Sequence, residues 1–462
     1  MNKLSRKDLL LVSLMLFSLF FGAGNLIFPP FLGQSAGTEM WVSMLGFFIT
    51  AVGFPVLGVV AVAKSKGLYN LANRVNPVFA SVFTVLIYLS IGPGLGIPRA
   101  GSLPFEMAVA PYLPAEFSVT LARFLFTAVF FCVAYWLALA PTKLVDRMGK
   151  VLTPTLLTLI AVIFVGSLIK PLGGYGEPTG DYATTPFVKG FLEGYLTMDT
   201  IAALNFGIVI ALAIKTKGLE EEKAVVSTTV KAGLIAGGLL VAIYSILGHL
   251  GAMSGAIYGA TENGAQTLTY VMTYIFGTQG ALLLAVVFTL ACLTTCVGLI
   301  TSCGQYFASL TPKMSYKVWA TVLAFASFTL ANMGLNQILS ISVPILNAIY
   351  PVAIMLIVLA MMNRFINESR LVYSVTILVT GVISVVDALN QVNIRLGALT
   401  TWCEYLPLYK QGLGWVTLAL GAIVVTVVMD KVFQLSTSNQ TTNPRPPIII
   451  KPGITKLIIR LF

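Results

Sequence analysis

The sequence predicts an all-α integral membrane protein with about twelve transmembrane helices. Of its 462 residues, 57% are apolar and only 10% are charged, and the mean hydropathy is +0.91. Soluble domains carry about 25% charged residues, so this chain has too few ionised groups to cover a surface in water. The composition excludes a nucleic-acid-binding module, a secreted disulfide scaffold and a multidomain soluble enzyme.

Twelve apolar stretches are long enough to cross a bilayer, which takes about 20 helical residues. We number them spans 1 to 12 and assign them to residues 9–33, 41–63, 77–98, 118–140, 151–170, 190–214, 226–250, 279–309, 317–334, 337–362, 371–392 and 412–430. They form a single transmembrane domain over residues 1–435. The remaining residues, 436–462, are interpreted as a cytoplasmic tail, either unstructured or associated with the membrane surface. A further re-entrant or surface helix is predicted near residues 265–277.

Basic residues are concentrated in the segments that connect alternate spans. The segments on the side of the N-terminus hold 22 of the 28 Lys and Arg residues, and the other side holds six, Arg99 among them. Positively charged loops stay in the cytoplasm, so we predict that both termini are cytoplasmic. The net charge of +11 is therefore interpreted as a topology signal, not as a nucleic-acid footprint.

Span 1 is interrupted by small residues. Gly22 and Gly24 allow the helix to unwind, and Asn25 can cap the half-helix that follows. Backbone polar groups at membrane depth must be paired, so a broken helix survives only inside protein or beside a wet cavity. The ordinary alternative is that these glycines only let membrane helices pack closely.

Span 6 contains a second interruption. Its segment 194–207, GYLTMDTIAALNFG, places an acid, several hydroxyls and an asparagine where lipid would reject them. Disrupted segments at matching places in two halves indicate an inverted-repeat transporter with its site at the membrane midplane. Spans 1–5 (about 9–170) would then repeat as spans 6–10 (about 190–362), with accessory spans 11 and 12 (about 371–430) appended.

Asp199 is the acid in this second interruption. An ionisable residue at membrane depth indicates a functional role. Alternatively, its carboxylate caps the second half of span 6 by accepting from the N–H groups of Ile201 or Ala202. Both interpretations place Asp199 at the break.

The two breaks together predict the chemistry of the ligand. Free N–H groups at the start of the second half of span 1 suit a carboxylate, and carbonyls freed at both breaks can accept from an ammonium group. With nearby apolar side chains, these features indicate a neutral, hydrophobic amino acid. A carboxylate held in this way needs no arginine, and none falls within these spans. The predicted substrate-binding residues are Phe21, Gly22, Ala23, Gly24, Asn25, Tyr195, Thr197, Asp199 and Leu204.

Span 8 contains a candidate cation site. The Ala291 carbonyl lies one turn before the hydroxyls of Thr294 and Thr295, and neutral oxygens of this kind suit a hard cation such as sodium. The alternative is that both hydroxyls only bond back to carbonyls of their own helix.

Four stretches of the chain closely resemble the bacterial branched-chain amino acid:cation symporter family, the BrnQ-type carriers. They are FFGAGNLIFPP (20–30), IGPGLGIPR (91–99), GYLTMDTIAAL (194–204) and LACLTTCVGLITSC (290–303). The resemblance implies the LeuT-type fold of the amino acid–polyamine–organocation superfamily, a place in the bacterial cell membrane, and cation-coupled uptake of leucine, isoleucine and valine. By analogy with that fold, the amides of Ala23 and Gly24 would hold the substrate carboxylate. The implied sodium ligands are the carbonyls of Ser18, Phe21 and Ala291 and the hydroxyls of Thr294 and Thr295.

We therefore predict a secondary active transporter that works by alternating access, with no enzymatic activity. Sodium is expected as the coupling ion, because the bases near span 5 lie only at its two ends, and no resident cofactor is expected. Its partners would be the amino acid, sodium and the lipid bilayer, without nucleic acid and with the oligomeric state left open. The alternatives are a same-fold symporter of another neutral amino acid or a nucleobase, and coupling to protons instead of sodium.

Overall fold

All regular secondary structure in the described part of the chain is helical. The computed structural model describes residues 4–114, 116–140 and 148–438. Ten helical stretches in these ranges are long and apolar enough to cross a membrane. The predicted all-α membrane class is therefore confirmed. The helix of span 12 continues to Ser438, and the rest of the predicted tail lies outside the described residues.

Each predicted span corresponds to one helix or to a pair of consecutive helices. Spans 1 to 5 contain Arg6–Phe20 with Ala23–Ala36, Met40–Phe48 with Phe54–Lys64, Pro77–Leu89 with Gly96–Ala108, Val119–Ala138, and Thr153–Ile169. Spans 6 to 10 contain Pro186–Glu193 with Asp199–Thr216, Glu222–Tyr258, Thr278–Leu310, Tyr316–Ala331, and Leu335–Met361. Spans 11 and 12 contain Arg370–Gln391 and Gly414–Ser438, and the additional helix expected before span 8 runs over Gly264–Phe276.

Span 3 is longer than predicted. Its glycine-rich segment does not end the helix but forms a π-helical turn, Ser90–Gly94, in which Gly92 has non-helical dihedral angles of φ −80° and ψ −121°. A second helix, Gly96–Ala108, follows this turn. The prediction that span 3 ends at residue 98 is therefore wrong, and Arg99 lies inside the span. Arg99 therefore does not belong to the connecting segments on the side opposite the N-terminus, to which the sequence count assigned it.

The spans pack in two groups that meet at the interrupted helices. Spans 1, 2, 6 and 7 form one group, which we call the bundle, and spans 3, 4, 8 and 9 form the other, which we call the scaffold. Spans 10, 11 and 12 pack side by side, and span 10 also contacts spans 2 and 3. The first half of span 1 contacts span 8, so a broken bundle helix lies directly against the scaffold.

Close packing of span 7 against the second half of span 1 depends on glycines. A Cβ atom on Gly251 would lie 2.0 Å from the Pro30 carbonyl oxygen, and one on Gly33 would lie 1.9 Å from the Gly248 carbonyl oxygen. No side chain fits at such distances, so the two backbones are in direct contact. Small residues at helix interfaces allow this approach in membranes, and here it positions the half-helix that begins at the first break.

The outward faces of the spans are apolar. Leu234, Leu282, Phe325, Leu378 and Val424 are each more than 60% exposed. An exposed apolar surface of this extent is suited to lipid contact and not to water.

Gly251→Ala tests the contact between spans 1 and 7. We expect this substitution to lower the midpoint of thermal unfolding in detergent, because overpacking costs about 1–3 kcal/mol. Gly238→Ala on the same helix is the matched control, since a Cβ there meets nothing within 4 Å. Equal unfolding midpoints for the two variants would contradict the direct backbone contact.

Candidate functional site

Span 1 is broken at Phe21 and Gly22. The first half-helix ends at Phe20, Gly22 is extended with φ −125° and ψ −153°, and the second half-helix begins at Ala23. A Cβ atom on Gly22 would lie 2.6 Å from the Thr295 hydroxyl oxygen. Glycine is therefore required here because span 8 approaches the broken backbone closely.

The side chain of Asn25 redirects the backbone hydrogen bonds at this break. The Gly22 N–H donates to Asn25 Oδ1 at 3.0 Å, as expected for a residue that caps the following half-helix. In a continuous helix, that N–H would have bonded to the Ser18 carbonyl. The Ser18 carbonyl is therefore left without its helical partner, as are the other last carbonyls of the half-helix.

Hydroxyls from span 8 donate hydrogen bonds to the freed carbonyls. Thr294 Oγ1 lies 3.3 Å from the Ser18 carbonyl oxygen and 2.9 Å from that of Ala291. Thr295 Oγ1 lies 3.4 Å from the Ser18 oxygen and 3.3 Å from that of Leu19. Only Thr294 bonds back to its own helix as well as across to span 1. The hydroxyl of Ser18 is also buried, and it has no hydrogen-bond partner among the described residues.

These contacts form a cluster of neutral oxygens, which we call the oxygen cluster. It contains four predicted ligands, Ser18, Ala291, Thr294 and Thr295, and the Leu19 carbonyl, which the sequence did not indicate. Unwound carbonyls combined with neutral side-chain oxygens suit Na⁺ in transporters built from broken helices. The carbonyl of Phe21, the fifth predicted ligand, belongs to the break itself, immediately after the half-helix that supplies Ser18 and Leu19.

The break in span 6 is shorter than the predicted segment. A 3₁₀ turn, Gly194–Thr197, is followed by Met198 in the left-handed conformation with φ 69°, and the helix resumes at Asp199. The Thr197 hydroxyl donates to the Gly194 carbonyl at 2.9 Å and accepts from the Asp199 N–H at 3.3 Å. Thr197 thus bridges the break from one side to the other.

Asp199 connects the two breaks. Its side chain is 2% exposed, and its Oδ2 accepts from the Asn25 side-chain amide and, at 3.2 Å, from the Tyr244 hydroxyl. The Asn25 amide also donates to the Tyr244 oxygen. The alternative capping role finds no support, because the helix begins at Asp199 and the Ala202 N–H donates to the Met198 carbonyl at 2.9 Å. Spans 1, 6 and 7 therefore meet at one buried carboxylate.

Aromatic side chains surround the breaks. Tyr195 is 1% exposed, and its ring stacks on that of Tyr350 with the centroids 4.5 Å apart. The ring of Phe21 lies between those of Phe17 and Tyr244, with centroid distances of 5.1 and 6.4 Å.

Leu204 is fully buried and lies inside the second helix of span 6, more than one turn beyond the break. The aromatic rings therefore supply an apolar wall around the breaks, and Leu204 lies further along the helix.

Arg99 is the residue at this site that sequence reasoning missed. It is 4% exposed, and its guanidinium donates to the carbonyls of Leu196 at 2.6 Å and Thr197 at 3.1 Å. It also lies over the Phe28 ring at 5.7 Å. Although spans 1 and 6 contain no arginine, the bent span 3 carries Arg99 into the membrane beside the break of span 6. One sequence signal could have indicated that span 3 continues past Arg99. The residues that follow it contain a single acid before residue 109.

Comparison with known proteins agrees with this architecture. The sequence profile described as branched-chain amino acid transport protein matches residues 5–433. The branched-chain amino acid permease BraB of Bacillus subtilis is 44% identical over 430 residues, which cover 93% of this chain and 96% of BraB. The permease BrnQ of Bacillus subtilis is 42% identical, with 95% of this chain and 100% of BrnQ covered. The branched-chain amino acid transport system 2 carrier protein of Pseudomonas aeruginosa is also 42% identical, with coverage of 93% and 98%.

Two solved structures share the fold. Mhp1, a nucleobase-cation-symport-1 family transporter in a closed conformation with bromovinylhydantoin bound, aligns with a TM-score of 0.58 at 12% identity, covering 92% of each chain. MhsT in complex with L-phenylalanine aligns with a TM-score of 0.55 at 15% identity, covering 92% of this chain and 99% of MhsT. The predicted LeuT-type fold is therefore confirmed.

The resemblance carried by the four sequence motifs is confirmed by matches over nearly the whole chain. The relatives reported above are named as permeases or carriers. The chain belongs to the branched-chain amino acid transport protein family, and it is a multi-pass membrane transporter and not an enzyme.

Proposed function

We propose that the chain takes up leucine, isoleucine and valine by sodium-coupled symport through alternating access. The observation that carries this proposal is the position of Asn25, whose side chain contacts both the first break and Asp199. The oxygen cluster lies on one side of that break and the candidate substrate site on the other. We also propose that the chain resides in the bacterial cell membrane with both termini in the cytoplasm.

A zwitterionic amino acid fits the polar groups of the two breaks. The second half of span 1 begins with free N–H groups, which favour a carboxylate, and Asp199 offers a buried carboxyl group to an ammonium group. The rings of Phe21, Tyr195 and Tyr350 supply apolar contacts for a branched side chain. The names of the relatives support branched-chain amino acids as the substrates of this chain.

Sodium fits the oxygen cluster. The cluster contains only neutral oxygens, which suits a monovalent hard cation. The Ser18 hydroxyl, buried without a partner among the described residues, adds a donor or ligand at the same place. With Na⁺ present, the Thr294 and Thr295 hydroxyls would turn their lone pairs to the ion instead of donating to the carbonyls.

Coupling follows from the shared segment at residues 18–25. Sodium would hold the end of the first half-helix against span 8, and the amino acid would hold the start of the second half-helix against span 6. Since both ligands favour the same arrangement of the break, each should raise the affinity for the other by the same factor. One inward Na⁺ gains about 2.3 kcal/mol per 100 mV plus about 1.4 kcal/mol per tenfold gradient, enough to concentrate a neutral solute several-hundred-fold.

Sodium-jump uptake of labelled leucine into proteoliposomes tests the proposed function. We expect leucine to accumulate when an inward sodium gradient is imposed, and unlabelled isoleucine and valine to compete. An imposed proton gradient without sodium is the control and should drive no accumulation. Accumulation with protons alone would contradict sodium coupling, and lack of competition by the three amino acids would favour another solute.

Removal of hydroxyls from the oxygen cluster tests the ion site. Thr294→Ala and Thr295→Ala should each raise the sodium concentration for half-maximal uptake about tenfold, since losing one interaction with an ion costs about 1.5 kcal/mol. Leucine binding at saturating sodium should change much less. Thr289→Ala is the matched control, because its hydroxyl bonds to the Ala285 carbonyl of its own helix at 2.7 Å. The same sodium dependence in all three variants would argue against this cluster.

Asp199→Asn tests the role of the buried carboxylate. We expect it to abolish leucine uptake, because the amide keeps the shape of the side chain but removes the charge that would face the ammonium group. Asp387→Asn, in span 11 outside the two repeats, should leave uptake unchanged; its carboxylate accepts from Gln391 at 3.4 Å. Near-normal uptake by Asp199→Asn, in protein that elutes as a single species, would contradict the assignment.

A further inference from the structure

We propose that Arg99 recognises the carboxylate of the transported amino acid and selects ligands that carry one. This inference rests on the proposed function, in that the substrate binds between the breaks of spans 1 and 6. It assigns a role to a residue of the scaffold, whereas the substrate residues predicted from the sequence all belong to the bundle.

The guanidinium of Arg99 is held at the junction of the two breaks. Its terminal nitrogens donate to the Leu196 and Thr197 carbonyls in the 3₁₀ turn of span 6. On the other side, a Cβ atom on Gly24 would lie 2.8 Å from Arg99 Nη2. Arg99 therefore touches the first turn of the second half of span 1 and the break of span 6 at once.

Part of the donor capacity of Arg99 is unused. A guanidinium has five N–H groups in a planar fork, and the two bonds to span 6 occupy only one N–H on each terminal nitrogen. Nε is buried and has no hydrogen-bond partner among the described residues. An unsatisfied buried donor of this kind is unfavourable. A carboxylate held side-on by Nε and a terminal nitrogen would satisfy it without breaking the bonds to Leu196 and Thr197.

The charge balance also indicates an anion at this place. The start of the second half of span 1 is the positive end of a 14-residue helix, and the Arg99 guanidinium packs against it. Two positive groups thus face each other, which is unfavourable in a low-dielectric interior. The Asp199 carboxylate lies near enough to attract the guanidinium, but no ion pair joins the two in the part of the chain that the structure describes, and Asp199 is bonded to Asn25 and Tyr244 instead. A carboxylate held by Nε of the guanidinium, beside the Gly24 turn, would offset both positive groups.

Arg99 and Asp199 then give the site one group for each charge of a zwitterion. Arg99 would take the carboxylate of a zwitterion, while Asp199, at the start of the helix that follows Met198, would take its ammonium group. Because Arg99 belongs to span 3 and Asp199 to span 6, one zwitterion would connect the scaffold to the bundle. An amine or alcohol lacking the carboxylate could not make this connection.

The competing explanation is a structural one, in which Arg99 only clamps the carbonyls of the span 6 break. The two explanations predict different losses of ligand affinity when the guanidinium is removed. Loss of a clamp weakens all ligands of the site, whereas loss of a carboxylate contact weakens only ligands with a carboxylate. The ratio of the affinities for leucine and for leucinol, in which a CH₂OH group replaces the carboxylate, separates the two.

The experiment measures Kd for leucine and for leucinol from thermal stabilisation of full-length protein in detergent at saturating sodium. It compares wild type, Arg99→Gln, Arg99→Lys and the control Arg123→Gln. Arg123 is a second largely buried arginine, in span 4, and is paired with Glu106 at 3.0 Å. We expect Arg99→Gln to lower the leucine-to-leucinol preference about 10- to 100-fold, the value of a charge-assisted hydrogen bond of about 1.5–3 kcal/mol.

Arg99→Lys keeps the charge but loses the fork, so its preference should fall between those of wild type and Arg99→Gln. Arg123→Gln should keep the wild-type preference. An unchanged preference in Arg99→Gln or Arg99→Lys, with both ligands weakened equally, would overturn the inference while leaving the proposed function intact. If Arg99→Gln fails to fold, Arg99→Lys alone decides by the same criterion. Wild-type protein that leucine does not stabilise would overturn the proposed function together with this inference.

Discussion

The hydrogen bond from the Gly22 N–H to the Asn25 side chain is the contact on which the rest of the site depends. Inside a membrane, a backbone group that loses its partner has no water to replace it. When the Gly22 N–H turns to Asn25, the Ser18 carbonyl must find a donor, and it finds the Thr294 and Thr295 hydroxyls. The break is therefore maintained by span 8 as much as by span 1.

The same asparagine ties the break to the bundle. Its Oδ1 accepts from Gly22 while its amide donates to Asp199 and to Tyr244, so both ends of one short side chain are occupied. A shift of the first half-helix would disturb the oxygen cluster and the Asp199 contacts together. The direct backbone contact between Gly33 and Gly248 limits movement of the second half-helix relative to span 7. Under the proposed alternating access, motion is therefore expected at the junction between the bundle and the scaffold.

Much of this arrangement could be predicted from the sequence, because it depends on residue types and spacings within single segments of the chain. Composition predicts the membrane class, small residues at 22 and 24 predict the break, and residue spacing on span 8 places the two hydroxyls beside the Ala291 carbonyl. Contacts between distant segments could not be predicted in this way. Nothing local to Arg99 states that Leu196 and Thr197 will offer their carbonyls, and nothing in span 7 singles out Tyr244 among its apolar neighbours. The bend of span 3 was missed because a glycine-rich segment that ends a helix and one that forms a π-helical turn have the same composition.

The left-handed conformation of Met198 bears on the equilibrium between the states of the proposed alternating access. A side chain other than glycine costs about 1–2 kcal/mol in that conformation, and here it is held by the Thr197 hydroxyl and by the helix that begins at Asp199. A state in which residue 198 relaxes to an ordinary conformation would regain about 1 kcal/mol, roughly a fivefold change in population. The break in span 6 thus keeps residue 198 in a conformation of slightly higher energy. Under the proposed alternating access, the residue type at position 198 would therefore shift the resting preference of the carrier by about this factor.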